Sequence, residues 1–321
     1  MDLSPDRLDA DQLLQIAFDA VTTGSPGPPP DLEARLRDRA LAGPKPVRHL
    51  SWGEPVETRP DSLRAFTRTA SELGELLDAL APADWSRTTR IDGATVRDVV
   101  EHMVGVERYV LGCIDRRPRL DAPRREDHRP VSRRAAAGLA DESNTSVSQI
   151  WWSEVLALIA ACGELGPDHD VAYHHLAGTL RGMLVVRTFE LWTHGDDIRQ
   201  ATDRPLDLLD EARLSMMVDE LMRVVPLGLA LSGCPQPGCT ARITLTGPGG
   251  GTFDVALDPD PAPGRFEGPA RAPAITLTAE AIDLCRLAAN RLDPDRFDVV
   301  VEGERGLLGP ILVGATAFAA D

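Results

Sequence analysis

The chain has 321 residues, enough for two cores, and its 43% hydrophobic but only 4% aromatic content means those cores are built mainly from Leu, Val and Ala. A formal net charge of -16 excludes a sequence-independent nucleic-acid surface or an anionic membrane as partner, because phosphates would be repelled. The acidic start Met1-Asp2-Leu3-Ser4-Pro5-Asp6 and the lack of an apolar run approaching ~20 residues predict a cytoplasmic protein, in which the five cysteines are reduced thiols.

Residues 1–57 are read as an N-terminal helical extension, with short helical patterns at Asp9 to Val21 and Leu32 to Leu41. The Gly- and Pro-rich linker Gly24 to Pro30 separates them, since it suits neither a helix nor a central strand. A protein partner could dock there, although a tail without a role of its own fits the same residues.

A first domain is expected over 58–204. From Asp61, the apolar positions Leu63, Phe66, Ala70, Leu73 and Leu77 mark one helix face that ends at Ala81-Pro82. Thr95 suits the N-cap of a second helix, striped by Val96, Val99, Met103, Val106 and Val110, with His102 beside the stripe. A charged loop from Arg116 to Pro130 leads to a helical region from Ser132 to Cys162, broken near Ser143-Asn144-Thr145. A further helix runs from about Thr179 to Thr202. Four long helices with short to moderate loops predict an antiparallel four-helix bundle.

The second domain, 205–321, opens with a helix from Asp207 to Leu231. Two alternating runs, Ala241 to Leu245 and Thr252 to Leu257, flank Gly247 to Gly251 as a hairpin. A strand from Ala274 to Leu277, a helix from Ala279 to Asn290, a strand from Phe297 to Val301 and a last helical stretch complete it. That order predicts an α+β domain with an antiparallel sheet.

Glu190 and His194 lie four residues apart, so a helix sets them on one face, shared with Met183 and Val186 and turned into the bundle. His102 can reach the same interior. Two imidazoles and a carboxylate form an N,N,O set with an open position, the pattern of catalytic zinc, and nickel, manganese or iron would also suit it. Asp197, three residues after His194, is placed to hold an imidazole N–H, or to serve as an ordinary helix carboxylate. On spacing alone, a hydrogen-bonded core pair is the commoner outcome of E-x-x-x-H. His174 and His175, before the last bundle helix, line either the site entrance or the surface. Cys234 and Cys239 are read as turn cysteines, because no second pair or flanking His completes a zinc site.

The runs Thr95-Val96-Arg97-Asp98-Val99-Val100-Glu101-His102-Met103-Val104-Gly105 and Glu190-Leu191-Trp192-Thr193-His194-Gly195-Asp196-Asp197-Ile198 resemble the mycothiol-dependent maleylpyruvate isomerase family, within the DinB-like metalloenzyme superfamily. The segments Ile275 to Leu287 and Val301-Glu302-Gly303-Glu304 are similar to that family's C-terminal sterol-carrier-like domain. The resemblance implies His102, Glu190 and His194 as ligands of a divalent metal, zinc first, with Asp197 behind them. It also implies mycothiol as a thiol cosubstrate, its metal-bound thiolate attacking a small electrophile in an isomerase or transferase. Arg291 matches best the family's substrate-facing arginine, though Asn290 stands where the family usually has Gly; an arginine capping the preceding helix fits the position equally. The reading from another class is a noncatalytic regulatory or ligand-binding protein that uses both domains as binding modules.

Overall fold

The computed structural model describes residues 47–50, 61–91, 93–114, 128–173, 176–258, 272–317 and 319. The expected helices at Asp9 to Val21 and Leu32 to Leu41, the Gly24 to Pro30 linker, most of the Arg116 to Pro130 loop, and His174 and His175 lie outside them. Two compact units emerge, one from Asp61–Asp207 and one from Leu208–Asp321 together with strand β1 (Val47–Leu50).

In the first unit, helix α1 (Ser62–Asp78) starts where Asp61 accepts hydrogen bonds from the Leu63 and Arg64 amides, satisfying donors that the first helical turn leaves open. Helix α2 (Val96–Ile114) starts with a reciprocal cap: the Asp98 amide donates to Thr95 Oγ1, and the Thr95 amide donates to the Asp98 carboxylate. The helical region expected from Ser132 to Cys162 is two helices, α3 (His128–Leu139) and α4 (Asn144–Gly163). Ser143 caps the second through the Ser146 amide, so the break falls at the polar run where it was expected.

A short antiparallel ribbon, β2 (Asp170–Tyr173) and β3 (Leu176–Thr179), leads into α5 (Leu180–Ala201), whose N-cap is Thr179. Phe66, Leu73, Met103, Val110, Trp151, Leu158, Leu184, Leu191 and Ile198 are buried in one core drawn from α1, α2, α4 and α5. Helix α3 packs on α2 at a close approach. A Cβ on Gly105 would lie 2.3 Å from Ser132 Cα, so glycine at that point lets the two backbones meet.

In the second unit, α6 (Glu211–Leu231) packs against β5 and against the last helix, α8 (Leu308–Thr316). Between them in sequence come β4 (Thr240–Thr246), β5 (Gly251–Ala256), β6 (Ile275–Glu280), α7 (Ala281–Ala288) and β7 (Val299–Gly303). The five strands lie in the order β1-β5-β4-β6-β7. Alternation sends Ala241, Ile243, Leu245, Phe253, Val255, Ile275 and Leu277 to the buried side.

The sheet is mixed, which corrects the expected antiparallel one. β5 pairs antiparallel with β4, and β7 with β6, but β1 runs parallel to β5 and β6 parallel to β4. Val47–Leu50 occupies the outer edge of β5, and β6 lies on the other edge of β4. Among the described residues, no helix is long and apolar enough to cross a membrane.

Candidate functional site

Among the described elements, helix α5 carries more buried polar side chains than any other. Its 22 residues bury Arg187, Thr188, Thr193, His194, Asp196 and Asp197 beside the apolar ones. The two threonines answer their own burial by donating to carbonyls one turn back, Thr188 to Leu184 and Thr193 to Phe189, at 2.8 Å each. Asp196 accepts from the Asp207 amide at 2.8 Å. The remaining groups converge with residues of α2 and β2.

His102, half-buried on α2, and His194, buried on α5, are brought together: their rings meet edge to face with centroids 5.3 Å apart. Two imidazoles sharing one ion through nitrogens at about 2.0–2.1 Å, at a tetrahedral angle, would stand with centroids roughly 5 Å apart. The spacing therefore suits a shared cation. Asp197 Oδ2 lies 3.4 Å from His194 Nδ1, beyond a tight hydrogen bond but directed at that nitrogen, leaving Nε2 as the atom available to a ligand.

Glu190 lies on α5 one turn before His194, and its carboxylate is engaged on both oxygens. Oε2 is ion-paired with Arg187 Nη1, and Oε1 accepts from Tyr173 Oη at 3.3 Å. Arg187 also donates from Nη2 to Glu107 Oε1 at 2.7 Å, and that pair is essentially without solvent contact. Burial pushes the Glu107 carboxyl above its ordinary range, and the neighbouring guanidinium opposes the shift. Burial likewise pushes the Tyr173 phenol up, so it stays a hydrogen-bond donor. Among the described residues, no three His, Cys, Asp or Glu side chains are gathered closely enough to enclose a metal. The two histidines are assembled, and Glu190 is turned to Arg187 and Tyr173.

Sequence reasoning passed over Glu107, Arg187 and Tyr173. A signal was present in Arg187, a charge three residues before Glu190 on a helix whose neighbouring positions are mostly apolar, which needs a buried partner.

Arg291 follows the end of α7. Its amide donates to the Arg286 carbonyl, and its Nη1 donates to the Ala289 carbonyl at 2.7 Å, the arrangement of a helix C-terminal cap. Asn290 has φ of 55°, in the left-handed region where glycine is favoured and asparagine tolerated, which accounts for Asn at a glycine position. Cys234 and Cys239 are free and half-buried in the turn before β4.

The fold and these side chains define a class: a helical unit with paired histidines facing each other across two helices, joined in sequence to an α+β unit with a mixed sheet. Residues 66–199 match the family model described as the mycothiol maleylpyruvate isomerase N-terminal domain. No curated relative matches the sequence. The crystal structure of the mycothiol-dependent maleylpyruvate isomerase is similar in fold over 76% of this chain and 92% of that one, with a TM-score of 0.51 and 14% identity. A histidine-to-alanine mutant of that isomerase matches with a TM-score of 0.47 and 13% identity, over 74% of this chain and 91% of that one.

Proposed function

We propose that the chain is a thiol-dependent enzyme, an isomerase or a transferase, that uses mycothiol or a similar small thiol at a divalent metal held by His102 and His194, with Glu190 as third ligand. The observation that carries the reading is the meeting of His102 and His194, with Asp197 directed at His194 Nδ1, inside the segment that matches the family model. A divalent ion there, zinc first by donor type, would supply Lewis acidity and lower the pKa of a thiol brought to it.

The residues of the chain do the rest. Asp197 fixes the His194 ring so that Nε2 faces the site. The α+β unit, read as the sterol-carrier-like domain, is assigned to substrate recognition, with Arg291 as the group for an anionic electrophile. Its Nη1 donates to the Ala289 carbonyl, which places the guanidinium at the end of α7.

The test is to incubate the zinc-loaded chain with mycothiol and a cis-configured conjugated keto acid, following both cis-to-trans conversion and thiol consumption. Conversion with thiol returned marks an isomerase; thiol consumed in step with product marks a transferase. Neither change above the rate of His102→Ala, across a panel of such electrophiles, contradicts the proposal.

A further inference from the structure

We infer that Trp192 and Asp196 strap the linker that leaves the first unit to the back of α5, so that at this crossing the chain is free to turn only at Leu208. The inference does not depend on what His194 binds.

The linker is tied down step by step on the first unit. The Arg204 amide donates to the Arg199 carbonyl at 2.8 Å, and its guanidinium reaches the Ala79 carbonyl at 2.9 Å and Asp84 Oδ2 at 3.2 Å. Pro205 follows, its φ fixed by the ring. Asp207 is then held on both sides of its backbone: its amide donates to Asp196 Oδ1 at 2.8 Å, and its carbonyl accepts from Trp192 Nε1 at a longer 3.4 Å. Asp196 and Trp192 are 8% and 2% exposed, so each brings a buried polar group that the linker backbone satisfies.

The far end is fixed as well. Asp210 caps α6, accepting from the Arg213 amide at 2.9 Å and from Arg213 Nε at 2.8 Å, and Leu209 beside it is buried. Between these anchors, Leu208 is 79% exposed and makes no hydrogen bond among the described residues. With neither burial nor a hydrogen bond, nothing holds its backbone dihedrals. The boundary between the two compact units falls at this residue.

Helical spacing sets the strap and the histidine on opposite sides of α5. Trp192 and Asp196 are four residues apart and share a face, whereas His194 and Asp197 lie about 150° round the helix from them. The same stretch of α5 therefore carries the His194 ring on one side and the outgoing chain on the other, and a pull on the linker acts on the helix of the site.

Hydrogen–deuterium exchange of the full chain, resolved to single amides by mass spectrometry with electron-transfer fragmentation, tests this on wild type, Asp196→Ala and Trp192→Phe. In wild type the Asp207 amide is expected to exchange roughly tenfold or more slowly than the Leu206 and Leu208 amides on either side, which have no acceptor among the described residues. Asp196→Ala is expected to bring Asp207 within about threefold of those neighbours, while the Leu214 amide inside α6 keeps its wild-type protection. That change also removes a loose pair with Arg199 at 3.9 Å, so a second variant is needed. Trp192→Phe keeps a ring but loses the Nε1–H, and is expected to speed Asp207 exchange by roughly two- to fivefold.

An Asp207 amide as fast as its neighbours in wild type overturns the strap. So does one that stays equally slow in both variants. If Asp196→Ala speeds exchange throughout α5, Trp192→Phe decides, and an unchanged Asp207 rate there overturns the inference. A Leu208 amide as slow as that of Asp207 overturns the pivot, because the residue is then held.

Discussion

Cys162 and Cys285 lie in the cores of their units, and burial pushes both thiols up to about 12, with the Glu107 carboxylate adding to the effect on Cys162. Cys113 is buried as well, whereas Cys234 and Cys239 are half-buried in a turn. A thiol reacts as its thiolate, so alkylation of the native chain at pH 8 is expected to label Cys234 and Cys239 and to spare the other three until denaturant is added. Peptide mapping by mass spectrometry reads this directly, and early labelling of Cys285 would contradict the packing of α7. The same scale separates Asp197 from an ordinary helix carboxylate. If it steadies the His194 ring, Asp197→Asn weakens metal binding by roughly tenfold or more while the melting temperature changes little; equal affinity in the two proteins would remove that role.

Between helices, the tightest demand falls on Gly105, where α2 meets α3. A methyl group at that point would press on the Ser132 backbone, which no rotamer change relieves, so Gly105→Ala is expected to cost about 1–3 kcal/mol in urea unfolding. An unchanged midpoint would show that α3 shifts freely. Gly105 closes the same run of residues that carries His102, so a packing constraint and a chemical one share one helix.

At this level the sequence was most legible where caps and periodicity agree. Thr95, Ser143 and Thr179 stand at the starts of α2, α4 and α5, and each does so because a side-chain oxygen answers an open amide of the first turn. The β2–β3 ribbon was not read, since its four-residue strands are too short to show alternation. The strand Val47–Leu50 escaped for another reason: its partner β5 lies some two hundred residues away in sequence, and no local pattern announces so distant a pairing. In the site, i,i+4 spacing displayed Glu190 and His194. The engagement of Glu190 by Arg187 and Tyr173 depends on rotamers and on a neighbouring strand, which spacing does not encode.

Over the whole molecule, β1 ties part of the N-terminal extension into the sheet of the second unit. Removing residues 1–50 would leave the β5 edge unpaired, and an open edge invites pairing with another chain. The truncated protein is expected to unfold at lower temperature and to elute partly as aggregate in size-exclusion chromatography. A monodisperse truncation with an unchanged melting curve would mean that the strand contributes nothing to the fold.

In the proposed function, His102 and His194 hold one divalent ion between α2 and α5. Metal content per chain, by inductively coupled plasma mass spectrometry, tests it most directly, on wild type beside His102→Ala and His194→Ala after reconstitution with zinc. About one equivalent is expected in wild type, with loss of it in both variants. No metal in reconstituted wild type, or an equal content in all three proteins, would contradict it.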